Sequence, residues 1–219
     1  MAPHQVVFLL DVDNTLLDND GLKAWGDRAI RDAVGDDQAD RFWELYEETR
    51  HATGVVDYPA TFARLREETR DDGLVRQTER LVYDAPFPKF LFPRALEVIA
   101  RLWSIGTVVV LSDGDPVYQP LKIERSGIAQ AARGNVLVYD HKETHLDDVT
   151  ARFPEWHYAH VDDKASLLAA TKARLHGRVT TVHVRQGHYA DDPPHGVAPD
   201  IVVDHIAELE TLPAERFGA

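Results

Sequence analysis

Short apolar runs alternate along this chain with longer segments whose apolar residues recur at helical spacing. The apolar runs cover residues 6–10, 107–112, 135–139, 156–161, 179–184 and 201–203. Runs of this kind are typical of strands buried on both faces of a parallel sheet. The segments behind the later runs predict helices over 93–104, 120–126, 143–152, 164–176 and 206–212. Alternating strands and helices indicate an α/β fold with a doubly wound parallel sheet.

The region between the first two apolar runs contains no convincing strand. Apolar residues at helical spacing fill it, Gly54 interrupts the pattern, and Pro59 suits the first turn of another helix. We therefore predict a sheet domain formed by residues 1–17 and 91–219, with an inserted helical domain at 18–90. Its larger aromatic residues are expected to form its core: Trp25, Phe42, Trp43, Tyr46 and Phe62.

Composition narrows the possible functions. The chain has 219 residues, 44% of them hydrophobic, which is enough for a packed core. It has no cysteine, which excludes disulfides, thiolate catalysis and cysteine-ligated zinc. A formal charge of -13 disfavours a nucleic-acid polymer as partner. Neither a signal peptide nor a membrane-spanning stretch is recognisable, so we expect a cytoplasmic monomer or homodimer with no membrane partner.

Charged and hydroxyl side chains follow four of the predicted strands. In chain order they are Asp11 and Asp13, then Ser112, then Lys142, and then Asp162 and Asp163. The carboxyl ends of parallel strands meet at one edge of a sheet, so these groups can converge there. Several carboxylates in one cleft repel each other unless a cation neutralises them, and a set of oxygen ligands suits Mg²⁺. One carboxylate could then attack phosphorus while another transfers a proton.

These residues resemble the four motifs of the haloacid dehalogenase (HAD) superfamily of phosphohydrolases. Asp11-Val-Asp13-Asn-Thr15 matches its first motif, and the strand that ends in Ser112-Asp113-Gly114 matches its second. Lys142 matches the third motif, and Asp162-Asp163 the acidic fourth. The helical insertion lies where this family inserts its first-type cap. The resemblance implies a Rossmann-like core and a Mg²⁺-dependent phosphatase that acts on a small phosphorylated substrate.

The resemblance also implies a role for each matched residue. Asp11 would be the nucleophile and a Mg²⁺ ligand, and Asp13 the general acid/base whose backbone carbonyl also reaches the metal. Lys142 would balance the charge of Asp11 and of the phosphoryl group. The implied substrate-binding residues, of which Thr15 would mainly brace the loop, are Thr15, Ser112, Asp113 (through its amide) and Gly114.

Asp162 and Asp163 would complete the metal site. The usual Gly-Asp form of the fourth motif favours Asp163 as the direct ligand. A further aspartate that the family carries four positions later is replaced here by Leu167. The division of roles between the two aspartates therefore stays open.

Several alternatives remain at this stage. Lys122 is a rival for the third-motif lysine, but it falls in the helix after the second strand, where a solvent-facing lysine is expected. The same fold could serve a phosphotransferase or mutase, or a binding or regulatory protein without turnover. A dehalogenase is disfavoured because Asp13 supplies an acid/base that dehalogenases lack at that position. The histidines are expected to be solvated or core residues.

Overall fold

The computed structural model describes residues 6–192 and 196–218. Its strands form one parallel sheet in the order β3-β2-β1-β4-β5-β6. They are β1 (Val6–Leu10), β2 (Gly106–Asp113), β3 (Val136–Tyr139), β4 (His157–Asp162), β5 (Val179–Val184) and β6 (Ile201–Val203). This confirms the predicted doubly wound α/β fold. The order places the four motif-bearing strands, β1 to β4, side by side.

The helices fall into two groups. Four follow β1: α1 (Asn19–Val34), α2 (Asp36–Thr53), α3 (Tyr58–Thr69) and α4 (Asp72–Tyr83). The others connect the remaining strands: α5 (Ala95–Trp103), α6 (Tyr118–Arg125), α7 (Ile128–Ala131), α8 (Leu146–Arg152) and α9 (Ala165–Leu175). Among the described residues, no helix combines the length and apolar character needed to cross a membrane.

Two of the predicted helices are partly or wholly 3-10 helix in the structure. The segment 143–152 begins with a 3-10 turn at Lys142–Thr144, because the His145 N–H donates to the carbonyl of Lys142, and only then continues as α8. The segment 206–212 is a 3-10 helix at Ile206–Glu210. Pro213 follows closely, and its ring prevents the segment from continuing as a regular helix.

The sheet is covered on both faces. Successive side chains of β1 point to opposite faces, and all of them are apolar and buried. Val6, Phe8 and Leu10 pack into a core shared with α5, α6 and α7. Val7 and Leu9 point the other way, into a smaller core shared with α8. Because both faces of β1 are buried, polar groups can reach solvent only beyond its end, which is where Asp11 lies.

The chain enters and leaves the four-helix block through paired backbone segments. The Asp18 N–H donates to the carbonyl of Phe90 at 2.7 Å, and the Phe92 N–H to the carbonyl of Leu16 at 3.0 Å. These bonds fall at the boundaries predicted for the inserted domain, 17/18 and 90/91. The division into two domains stays a prediction.

Candidate active site

Asp11 leaves the end of β1 as a buried carboxylate against a buried lysine. Its backbone N–H donates to the carbonyl of Val161 on β4, which continues the sheet pairing by one residue. Its Oδ1 lies 2.5 Å from Nζ of Lys142, and that ammonium is also 2.7 Å from Oδ2 of Asp162. Asp11 is 5% exposed and Lys142 1%. The buried ammonium of Lys142 therefore forms ion pairs with two buried carboxylates.

Asp163 joins these groups to form a cluster of three carboxylates. One oxygen each of Asp11, Asp162 and Asp163 lie within 4.8 Å of one another. Within the described part of the chain, neither carboxylate oxygen of Asp163 has a hydrogen-bond partner, although the residue is 1% exposed. A buried carboxylate without partners is costly. Three oxygen donors with one wholly unpaired carboxylate fit a hard divalent cation such as Mg²⁺.

The pKa values of the three carboxyl groups show that the cluster carries more negative charge than its surroundings compensate. Burial raises the pKa of Asp163 to about 9, and Asp11 and Asp162 add to this shift. Burial also raises the pKa of Asp11 to about 7, although Lys142 opposes that shift. Burial would raise the pKa of Asp162 as well, but Lys142 and His160 hold it well below its ordinary range. Lys164 also interacts with these carboxylates, so two lysines face three carboxylates and the cluster lacks one positive charge.

Asp162 and Asp163 differ in how many contacts their carboxylate oxygens make with other protein groups. Oδ1 of Asp162 accepts the backbone N–H of Lys164 at 2.8 Å, and its Oδ2 lies 2.7 Å from Nζ of Lys142 and 3.5 Å from His160 Nε2. The backbone carbonyl of Asp163 lies 2.9 Å from His183 Nε2, and its carboxylate has no hydrogen-bond partner among the described residues. Asp162 is therefore committed to protein contacts, and the carboxylate of Asp163 is free to bind a metal.

Asp13 lies outside this cluster and has separate partners. Its Oδ1 lies 2.5 Å from Nζ of Lys122, and its Oδ2 accepts Nε2 of Gln119 at 3.2 Å. The solvent-facing position expected for Lys122 is wrong: the residue is 2% exposed. An exposed helical lysine gains little from one ion pair, whereas this one is buried directly against a candidate acid/base.

The residues implied in phosphate binding take up two positions. Asp113 and Gly114 line a cavity of about 640 Å³ at the carboxyl edge of the sheet. Ser112 is 1% exposed, and its Oγ accepts Nε2 of Gln119 at 2.8 Å. Thr15 is fully buried, and its Oγ1 has no hydrogen-bond partner among residues 6–192 and 196–218. Ser112 and Thr15 thus lie behind the cavity wall.

The loop after β1 is fixed in place by its neighbours. Asn14 has a left-handed φ of 58°, and its side-chain oxygen accepts the backbone N–H groups of Asn19 and Asp20. Gln186 donates to the backbone carbonyl of Thr15 at 3.1 Å. A Cβ at Gly187 would lie 2.5 Å from Cβ of Asn14, so only glycine permits this approach. The loop that carries Asp13 therefore connects directly to the start of α1.

The cavity of about 640 Å³ opens in front of these residues, between the sheet edge and the four-helix block. Trp25, Trp43 and Tyr46 line it, together with Arg50 and Tyr58. Tyr46 also belongs to the hydrophobic core, as predicted, and Trp25 and Trp43 are partly buried and pack against that core. The core prediction is confirmed for Phe42 and Phe62, which are 0% and 2% exposed. Side chains of the inserted block therefore face the candidate site.

Comparison with known proteins identifies the family. No protein-family model matches the sequence, and no curated protein matches it. Among solved structures, a haloacid dehalogenase-like hydrolase from Burkholderia xenovorans LB400 is 41% identical to this chain. The match covers 96% of this chain and 100% of that one, with a TM-score of 0.88. The chain belongs to the haloacid dehalogenase-like (HAD-like) hydrolases.

More distant HAD structures share the fold. The HAD-hydrolase YfnB of Bacillus subtilis, solved bound to magnesium, is 15% identical with a TM-score of 0.63. An L-2-haloacid dehalogenase of Xanthobacter autotrophicus is also 15% identical, with a TM-score of 0.61. Each match covers 94% of this chain and 97% of the other. These two matches show that the HAD-like chain shares its fold with more distant members.

Sequence reasoning missed Gln119 of this HAD-like site and considered Lys122 only as a rival for the third-motif lysine. Gln119 and Lys122 are three positions apart, which places them on one face of α6, the helix that follows the second motif. Asp115 accepts the backbone N–H groups of Val117 and Tyr118 and so sets where that helix begins. Helical spacing places both residues on one face of α6, but it does not show that this face meets Asp13.

Proposed function

We propose that this protein is a Mg²⁺-dependent phosphatase that hydrolyses a small phosphate monoester through an aspartyl-phosphate intermediate. One observation carries the proposal: the two aspartates of the first motif have different environments. Asp11 is buried beside Lys142 in the metal-ready cluster, whereas Asp13 lies outside that cluster and on the cavity. Two carboxylates in separate environments suit two separate roles, nucleophile and acid/base.

In the first half-reaction, an oxygen of Asp11 attacks the phosphorus of the ester. The bond between phosphorus and the ester oxygen breaks, and its electron pair stays on that oxygen. Asp13 transfers its proton there, so that the alcohol leaves neutral. Lys142 stays beside Asp11 and offsets negative charge at the reacting centre.

In the second half-reaction, water attacks the phosphorus of the aspartyl-phosphate. Asp13, now ionised, takes a proton from that water, and the bond between phosphorus and the Asp11 oxygen breaks. Inorganic phosphate leaves, and both aspartates return to their starting forms. Asp13 thus serves first as acid and then as base, which a single well-placed carboxyl can do.

Asp11, Asp162 and Asp163 are the side chains that would hold the metal. The backbone carbonyl of Asp13 is a further ligand by resemblance to the family. When bound, Mg²⁺ would neutralise the cluster and draw negative charge from a phosphoryl oxygen. The support from this chain is the unpartnered, buried carboxylate of Asp163.

The inserted helices, as the cap domain at 18–90, would select the substrate. Arg50, Gly54 and Val56 line the same cavity as Asp113 at the sheet edge. A cap that closes over the phosphoryl group would also keep bulk water from the aspartyl-phosphate. Its closing movement would reach Asp13 through the bonds from the start of α1 to Asn14.

Phosphoryl transfer to an alcohol, as in a mutase or phosphotransferase, needs the same residues and is the alternative. Haloacid dehalogenases occur among the structural neighbours. Their reaction is disfavoured here because Asp13 and the unpaired carboxylate of Asp163 would have no role in it. Retention of both first-motif aspartates also argues against a protein of this fold that only binds.

A phosphate-release screen with Mg²⁺ over phosphosugars, nucleotides and phosphorylated acids tests the proposal. We expect release from at least one ester, suppression by EDTA, and none with Asp11→Asn. 2-Haloacids form the comparison arm. Halide release without phosphate release would contradict the proposal.

A further inference from the structure

Lys122 is the buried cation nearest to the candidate acid/base, yet none of the four motifs includes it. Its Nζ lies 2.5 Å from Oδ1 of Asp13 and 3.2 Å from Oδ1 of Asn19. The ring of Tyr118 lies on another side, with its centroid 5.4 Å from Nζ. The side chain of Lys122 is 2% exposed, whereas that of Asp13 is 32% exposed. Lys122 therefore contacts Asp13 from among the buried side chains of the cavity wall, and part of the Asp13 carboxylate stays accessible from the cavity.

Gln119 completes this arrangement from the same face of α6. Its amide nitrogen lies 3.2 Å from Oδ2 of Asp13 and 2.8 Å from Oγ of Ser112. One amide thereby links the candidate acid/base to the hydroxyl of the second motif. The approach requires Gly114, because a Cβ there would lie 2.7 Å from Cβ of Gln119. The position of Gln119 therefore depends on the glycine in the loop after β2.

We infer that Lys122 and Gln119 are positioning residues that fix the carboxyl of Asp13 for proton transfer to the leaving group. Lys122 occupies Oδ1, so Oδ2 is the oxygen that exchanges the proton with substrate. Gln119 holds Oδ2 at a fixed distance from Ser112. This inference rests on the proposed function, since it assigns partners to the acid/base of that reaction.

If Lys122 and Gln119 position Asp13 for proton transfer, their loss should slow some esters more than others. A purely structural ion pair would show no such dependence on the leaving group. An ester with a good leaving group departs without a proton, whereas an ester of a simple alcohol needs one. Misplacing Asp13 should therefore slow only the second kind. The ratio kcat/KM reports the steps up to departure of the alcohol, before water attacks the aspartyl-phosphate. A ratio of two such values on one sample also does not depend on how much of the protein is folded.

The test compares 4-nitrophenyl phosphate with benzyl phosphate, both with Mg²⁺. The variants are Lys122→Met, Lys122→Arg and Gln119→Leu, and Asp13→Asn provides the limit without an acid. Lys172→Met is the matched control, because it removes a lysine paired with an aspartate, Asp200, on the exposed surface. In Lys122→Met and Gln119→Leu we expect kcat/KM for benzyl phosphate to fall at least about 10-fold. The nitrophenyl ester should change less than about threefold, and Lys122→Arg should recover most of the loss.

Several results would overturn the inference. An unchanged ratio of the two esters in both Lys122→Met and Gln119→Leu would overturn it alone and leave the phosphatase proposal in place. A parent protein active only on the nitrophenyl ester would also overturn it, because that protein has no effective acid to position. A parent that hydrolyses neither ester nor any ester of the screen would overturn the proposed function with it.

Discussion

Nζ of Lys142 lies 2.5 Å from Oδ1 of Asp11, and both side chains are almost completely removed from solvent. The same ammonium contacts Asp162, so its charge is shared between two acids. Burial lowers the pKa of Lys142, but the two aspartates outweigh it and hold that pKa above the ordinary lysine value. Lys142 is therefore a permanent cation at the base of the site.

Lys142→Met should destabilise the metal-free protein and abolish phosphatase activity. The substitution leaves the buried carboxylates of Asp11 and Asp162 unpaired, which costs about 3–5 kcal/mol. Added Mg²⁺ should recover part of the loss of Tm. Lys172→Met, which breaks an exposed ion pair, should change stability by less than about 1 kcal/mol. Thermal unfolding with EDTA and then with Mg²⁺ measures both; equal Tm values for the two variants would contradict the account of Lys142.

Asp13→Asn should separate the two half-reactions. With 4-nitrophenyl phosphate the leaving group needs no proton, so Asp11 is still phosphorylated, but attack by water loses its base. We expect a burst of nitrophenol close to the enzyme concentration, followed by turnover slowed about 100-fold or more. Stopped-flow absorbance measures the burst. Linear release from the first turnover at the parent rate would exclude Asp13 as the base.

The two aspartates of the fourth motif should respond differently to amide substitution. Asp163→Asn removes an unpaired carboxylate, so the metal-free protein should keep or gain stability while the Mg²⁺ needed for half-maximal activity rises at least about 10-fold. Asp162→Asn disturbs contacts to Lys142 and to the Lys164 N–H, so stability should fall. Tm and Mg²⁺ titration together decide the assignment. The reverse pattern would make Asp162 the principal ligand.

Stabilisation by Mg²⁺ should grow as pH rises. The pKa of Asp163 is raised to about 9 and that of Asp11 to about 7, above their values in the unfolded chain. Protons bound by the folded, metal-free protein therefore stabilise it at low pH, and this contribution is lost as pH rises through those values. Because the metal competes with these protons, the Mg²⁺-induced shift in Tm should be larger near about pH 8 than near about pH 6. An equal or smaller shift at the higher pH would count against this metal site.

Much of the fold could be predicted because β1 to β4 are mainly apolar runs that end in or are followed by polar residues. Burial on both faces leaves few alternatives for such runs, and the ends of parallel strands must share one edge. The proximity of Asp11, Lys142 and Asp162 follows from this topology. The sequence could not show which oxygens stay unpaired, since that depends on side-chain directions such as the one that commits Asp162 to Lys142.

Lys122 shows where pattern reasoning fails. A lysine in a polar helix is ordinarily exposed, and helical periodicity alone does not reveal which face meets a carboxylate from a distant loop. Asp13 is 109 positions away in the chain, and only the packing of α6 against the first-motif loop joins the pair. The cavity positions of Trp25 and Trp43 have the same origin, because a helix of the four-helix block contacts both the core of that block and the cavity.

Acid-quench trapping of the intermediate tests the central claim most directly. The parent protein and Asp13→Asn are mixed with Mg²⁺ and a substrate carrying labelled phosphate, then quenched in acid within one turnover. We predict labelled phosphate bound to the protein, sensitive to hydroxylamine as an acyl phosphate is, mapped to the peptide with Asp11 and more abundant in Asp13→Asn. Phosphate release without label on Asp11, or with label on another residue, would contradict the account.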